Sequence, residues 1–336
     1  MKLSRYLFRR LLFVVPQLVG ITLITFLLVQ LIPGDPARLM LGPLASDETI
    51  AALRERMGLD RSLPEQYGLY VWNALQGDFG TSWRSTNPVG FDLRQRLPAT
   101  LELITYSLLL AVLIAIPLGV HAARKPGKLS DRFSFGYGLV AGALPEFWLG
   151  LILIFVLYVK LGLVVAPNGR LDVGVEAPSR ITGAFTLDSL LTGNWAALKS
   201  SVEHLALPVV TLATVTIGPI LKMTRSTMQQ MLSADFTRYA RLCGLPERLV
   251  GQYALRNALP PVVTLVAVLY SFLIGGAVLV EFIFGWGGAG QYAVQGVLDA
   301  DFAVVQGFVL IAAIISLVVY LLVDLIYLAI DPRLTR

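Results

Sequence analysis

Ala234-Asp235-Phe236-Thr237-Arg238-Tyr239-Ala240-Arg241-Leu242-Cys243-Gly244-Leu245-Pro246-Glu247-Arg248, followed by Leu255-Arg256-Asn257-Ala258-Leu259-Pro260-Pro261, is the longest charged segment in the second half of the chain, and long apolar runs enclose it. Asp235 stands where a helix N-cap is needed. Gly244 is placed to end that short helix in a left-handed conformation, and Pro246 suits the first turn of the next. Phe236, Tyr239, Ala240 and Cys243 recur at helical spacing with Arg238 and Arg241 beside them. The pattern describes a helix-turn-helix elbow outside a bilayer, offering a face to a partner. A plain solvated loop would carry the same charges, so the rest of the chain has to decide.

Of 336 residues, 56% are hydrophobic and 15% charged, where a soluble domain carries about a quarter charged. The apolar residues form blocks long enough to cross a membrane. An all-α integral membrane protein with six transmembrane helices is predicted, with spans at about 11–33, 103–121, 135–158, 205–222, 261–281 and 303–325 in a single domain over 1–336. The first follows Lys2, Arg5, Arg9 and Arg10 like a signal peptide, but it is too long for one and no small-x-small site follows; it is read as an uncleaved span. The third is interrupted by Leu144-Pro145-Glu146-Phe147-Trp148. Two polar excursions, 35–98 and 162–203, lie between spans; helical character is expected at Asp47–Met57 and Glu65–Leu75, and none is sustained in 162–203.

Lys and Arg set the orientation. The N-terminus, the loop near 124–132, the elbow region and the tail hold sixteen basic residues, against ten spread through the much longer excursions. Both termini and the segment 225–258 are therefore assigned to the cytoplasm. The net charge of +5 is dispersed over membrane flanks with no aromatic interleaving, which argues against nucleic acid. A single cysteine excludes an internal disulfide, and two distant histidines make no ligand spacing for a metal. No phosphate-binding loop, Gly-x-Ser-x-Gly elbow or HExxH helix is present, so a catalytic role is not expected.

Glu102, Glu146, Glu281 and Asp324 are ionisable groups near or within apolar runs. Each fits either an interfacial or interhelical partner or a contact with a transported solute. Thr211, Thr214 and Thr216 lie in a span broken by Pro208 and Pro219; they fit an aqueous lining or the satisfaction of carbonyls that the prolines free. With Gly275, Gly276 and Glu281 of the fifth span they are the candidate path residues.

The elbow resembles the cytoplasmic coupling segment of membrane subunits of binding-protein-dependent ABC importers, and is most similar to the first permease subunit of the dipeptide/oligopeptide/nickel group. The residues that carry this are Asp235 to Leu245 and Ala254 to Pro260, supported in order by Ile32-Pro33-Gly34-Asp35-Pro36, Gly77-Asp78-Phe79-Gly80, Pro145-Glu146-Phe147-Trp148-Leu149-Gly150 and Asp331-Pro332-Arg333. Arg238-Tyr239-Ala240 stands where the general importer pattern has Glu-Ala-Ala, which narrows the subgroup. The resemblance implies a type I importer permease fold with a coupling helix. It also implies a bacterial cytoplasmic-membrane location and four kinds of partner: a second homologous permease, two cytosolic ATPases that bind ATP and Mg, an external solute-binding protein, and the lipid bilayer. Coupling would fall to Asp235, Phe236, Arg238, Tyr239, Ala240, Arg241, Gly244, Leu245, Arg256 and Asn257. The implied cargo is short peptides, with nickel chelates, glutathione or sugars as alternatives. A secondary carrier driven by an ion gradient is the rival, for which matching broken helices in two halves are not evident.

Overall fold

A computed structural model describes residues 3–30, 36–42 and 45–330. The expected motif at 331–333 and all but Pro36 of the one at 32–36 lie outside those residues. In chain order the helices are α1 (Leu3–Gln30), α2 (Pro36–Leu41), α3 (Asp47–Met57), α4 (Leu63–Leu75), α5 (Val89–Arg124), α6 (Leu129–Ala141) and α7 (Glu146–Leu153), the last continued by a π-helical turn at Ile154–Lys160. There follow α8 (Phe185–Thr192), α9 (Trp195–Ser233), α10 (Asp235–Leu242), α11 (Glu247–Ile283), α12 (Ala289–Leu298) and α13 (Phe302–Ile330). Extended pairing among the described residues is confined to an isolated bridge between Thr81 and Pro88.

Five of these helices are long and apolar enough to span: Leu12–Gln30, Val89–Arg124, Trp195–Ser233, Glu247–Ile283 and Phe302–Val323. The pair Leu129–Ala141 and Glu146–Lys160 makes a sixth if counted as one span bent by 102°. Pro145 sits at the break with φ −65°; lacking an N–H, it cannot continue the ladder of α6. Several helices outrun the apolar stretches expected to define them. α5 begins at Val89 and α11 at Glu247, because polar residues outside the hydrocarbon extend a helix that hydropathy registers only at its centre. α11 also runs through Pro260 and Pro261 without ending. The excursion 162–203 contains α8 and the first turns of α9.

The centre of the molecule is the crossing of α5 and α9, the most extensive helix pair. A Cβ on Gly119 would stand 2.8 Å from Cβ of Thr224, so the two backbones meet there at the closest distance a small residue permits. Leu103, Ile104, Leu212, Ile220, Leu221, Leu273 and Ile274 fill the surrounding core, closed at one end by Phe284 and Trp286. By contrast α1 exposes Leu12, Val15, Ile24 and Leu28, and α13 exposes Val318 and Leu322. Such surfaces suit acyl chains, against which only backbone groups satisfied within a helix are tolerated.

Candidate functional site

The elbow is built from backbone caps. α9 ends at Ser233, and Ala234 in extended conformation (φ −69°, ψ 152°) starts α10. Asp235 is the first helical residue and makes no side-chain cap, contrary to expectation. Thr237 serves the other side of the bend: its buried hydroxyl, a donor, lies 2.9, 3.1 and 2.6 Å from the carbonyls of Met231, Leu232 and Ala234 at the end of α9. Gly244 has φ +76°. The N–H of Leu245 then reaches Ala240 O at 3.2 Å and that of Gly244 reaches Arg241 O at 2.9 Å, a glycine-dependent helix end. Pro246 opens α11. Arg241 ties all three pieces, donating through Nε to Glu247 at 2.8 Å and through Nη1 to Leu232 O at 3.2 Å.

Of the coupling candidates, Ala240 is buried in the bend, while Asp235, Phe236, Arg238, Tyr239, Arg241, Gly244 and Leu245 are exposed. Tyr239 is 70% and the adjacent Leu242 79% accessible. Arg256 and Asn257 lie exposed on α11, with Asn257 Nδ2 donating to Tyr253 O at 2.8 Å. The bend thus keeps its polar backbone inside and turns aromatic and aliphatic side chains outward.

The path candidates divide. Thr211, Thr214 and Thr216 donate to Leu207, Val210 and Leu212 carbonyls at 2.7–2.8 Å. These are each hydroxyl's own i−4 carbonyls, not those of residues 204 and 215 that Pro208 and Pro219 leave without an amide partner. Thr211 and Thr216 are buried, and Thr214 is half-buried. Thr216 also borders a groove of about 290 Å³ between the α6–α7 break, α9 and α11, with Pro145, Glu146, Pro219 and Phe272. A Cβ on Gly276 would meet Glu146 Oε2 at 3.2 Å, whereas one on Gly275 would meet nothing within 4 Å. Glu281 is fully enclosed. Its Oε2 accepts from the Gln291 N–H at 2.9 Å, with the Gly290 N–H and the Thr100 hydroxyl also facing it. It therefore fastens α11 to α12 and α5, and does not border the groove.

Sequence alone did not disclose a buried polar network on the opposite side from the elbow. Arg170 Nη2 donates to Glu102 at 2.5 Å, and the guanidinium lies 3.6 Å over the Phe185 ring. The other Glu102 oxygen accepts from the Thr186 N–H and hydroxyl at 2.8 and 2.5 Å. Burial lowers the Arg170 pKa from its ordinary value although Glu102 opposes it. Trp286 Nε1 donates to Ala99 O at 2.9 Å. Nearby Asp188 accepts from the N–H groups of Ile181, Thr182 and Gly183 at 3.2, 2.7 and 2.8 Å. Burial pushes its pKa up, but these bonds and the Thr182 hydroxyl outweigh it and hold the carboxyl below its usual value. The partners of Glu102 and Trp286 are tens of residues away or more, so no local signal marks them.

Apolar helices of membrane length around a tightly crossed core, with an aromatic elbow at the junction of two of them, define a multi-pass helical membrane protein. The family model described as binding-protein-dependent transport system inner membrane component matches residues 115–336, and the model of its N-terminal part matches 3–104. The chain belongs to this family of inner-membrane transport components. It is 42% identical over 318 residues to the probable D,D-dipeptide transport system permease protein DdpB of Escherichia coli (strain K12), covering 94% of this chain and 93% of that one. It is 41% identical over 334 residues to the dipeptide transport system permease protein DppB of Haemophilus influenzae, covering 98% and 99%. With the oligopeptide transport system permease protein AppB of Bacillus subtilis it shares 36% over 334 residues, 99% of each.

Proposed function

We propose that the chain is the permease subunit of an ATP-driven importer, forming half of the translocation path for short peptides across the cytoplasmic membrane. The observation that carries this is the elbow: its exposed Phe236, Tyr239 and Leu242 stand on a bend closed by the Gly244 turn and the Arg241 bonds. Such a surface is suited to an anchor-type interface. The peptide cargo is supported by the names of relatives that match nearly end to end. The elbow and both termini are assigned to the cytoplasm from the Lys and Arg distribution.

In this proposal ATP and Mg bind to two partner ATPases, and a second homologous permease and an external solute-binding protein complete the assembly. Closure of the ATPase pair displaces the elbow. Arg241 and the Gly244 end hold its arms together, so α9 and α11 move with it. These two helices form walls of the Glu146 groove, and their displacement exchanges outward- and inward-open states. Nucleotide biases that exchange only by its different affinity for the two.

The test is uptake of labelled alanylalanine into liposomes. The complete complex with loaded binding protein is expected to accumulate it only with ATP inside the ATPase-facing compartment. Accumulation by this chain alone, driven by a proton gradient, would overturn the proposal in favour of a secondary carrier.

A further inference from the structure

Glu146 differs from the other deep carboxylates. Glu102 and Glu281 are enclosed and each accepts bonds from fixed donors. Glu146 is half-buried, and its carboxylate has no hydrogen bond or ion pair among the described residues. It stands at the break of the bent third span, at the edge of the groove shared with Thr216, Pro219 and Phe272. Thr216 lies roughly 25–30 Å along α9 from either end, so the groove is deep in the bilayer. A carboxylate at such depth is costly unless it meets a cation or donors. Gly276 opposite leaves the approach free, since a Cβ there would stand 3.2 Å from Oε2.

We propose that Glu146 contacts the cargo in transit and holds the cationic amino group of a short peptide in this groove. The inference rests on the peptide assignment above and adds the residue that reads the charge. Short peptides carry one positive group in common whatever their side chains, and one carboxylate in an otherwise apolar groove recognises that group without discriminating among sequences. The carboxylate sits on α7, while the facing walls sit on α9 and α11, which join the elbow. Displacement of the elbow changes the distance between them, so the ammonium is held more tightly in one state than in the other, as directional release requires.

The test uses the complete complex in liposomes with binding protein saturated by alanylalanine. At equal complex abundance, Glu146→Gln is expected to lower uptake at least tenfold, and Glu146→Asp to retain half or more. In parallel, wild-type complex is treated with dicyclohexylcarbodiimide and mapped by mass spectrometry, which requires no variant to fold. Glu146 is expected to be modified, and severalfold less so with loaded than with unloaded binding protein when ATP is present. If wild-type complex imports no alanylalanine, the peptide assignment fails and this inference with it. If it does import the peptide, a Gln variant that keeps pace overturns this inference alone, as does Glu146 modification that is absent or indifferent to cargo.

Discussion

Two regions near opposite ends of α9, the Arg170 network and the elbow, are finished in opposite ways. In one, charged side chains turn inward: Arg170 is sealed between Glu102 and Phe185, and Glu281 is enclosed against α12. In the other, α10 buries Thr237 and Ala240 and leaves Phe236, Tyr239 and Leu242 outside. An inward-turned network specifies one arrangement of the elements it joins. An outward-turned apolar bend leaves surface for another molecule to cover. In the function proposed above, the first is the fixed frame and the second is where work enters.

The largest expected effect tests the frame. Glu102→Ala leaves Arg170 buried without its counter-charge and should destabilise the purified protein by about 3–5 kcal/mol, read as a lowered thermal midpoint in detergent. An unchanged midpoint would mean the Glu102–Arg170 network is not a frame at all. Next is the elbow: Tyr239→Ala should weaken association with the ATPases by about 2 kcal/mol, roughly thirtyfold, while the thermal midpoint stays put. The reverse pattern would abolish the contrast between the two regions.

Gly244→Asp places a side chain at φ +76°, at a cost of about 1–2 kcal/mol. Its Cβ meets nothing within 4 Å, so the strain is conformational and not a clash. Peptide uptake should fall by far more than protein abundance; uptake at the wild-type level would show that the angle of the bend is immaterial. The smallest effect concerns Asp188, whose carboxyl is held below its usual pKa by its donors. Its contribution is present above the ordinary carboxylate range near pH ~4 and is lost as pH falls through the lowered native value. Asp188→Asn should therefore cost about 1 kcal/mol at neutral pH and nothing in strong acid. A difference from wild type that is constant with pH would contradict this.

Signals confined to a few neighbouring residues were legible: Gly244 and Pro246 mark the turn, and Pro145 marks the break in the third span. What depends on how the chain folds back was not. Asp235 has the chemistry of an N-cap yet makes none, and Thr237 instead donates to the end of α9, because the bend at Ala234 brings three carbonyls to its hydroxyl. Pro145 accounts for the break in the third span but does not specify an angle, which is 102°. α5 and α11 run beyond the apolar spans, because apolar windows measure hydrocarbon and not helix. Glu102 and Arg170 are far apart in the chain, and Glu281 looks in sequence like any carboxylate near a span end. Only the packing of α5, α11 and α12 separates these enclosed groups from the unpartnered Glu146.

The chain's single cysteine, Cys243, is exposed on the elbow, which allows the docking claim to be tested without mutation. In the assembled transporter, a short maleimide–photoreactive linker attached at Cys243 is predicted to yield a covalent adduct with an ATPase subunit, in a yield that changes on ATP binding. Adducts only with lipid or with the external binding protein, in a complex that still imports peptide, would contradict the elbow's role as the point where ATP drives the gate.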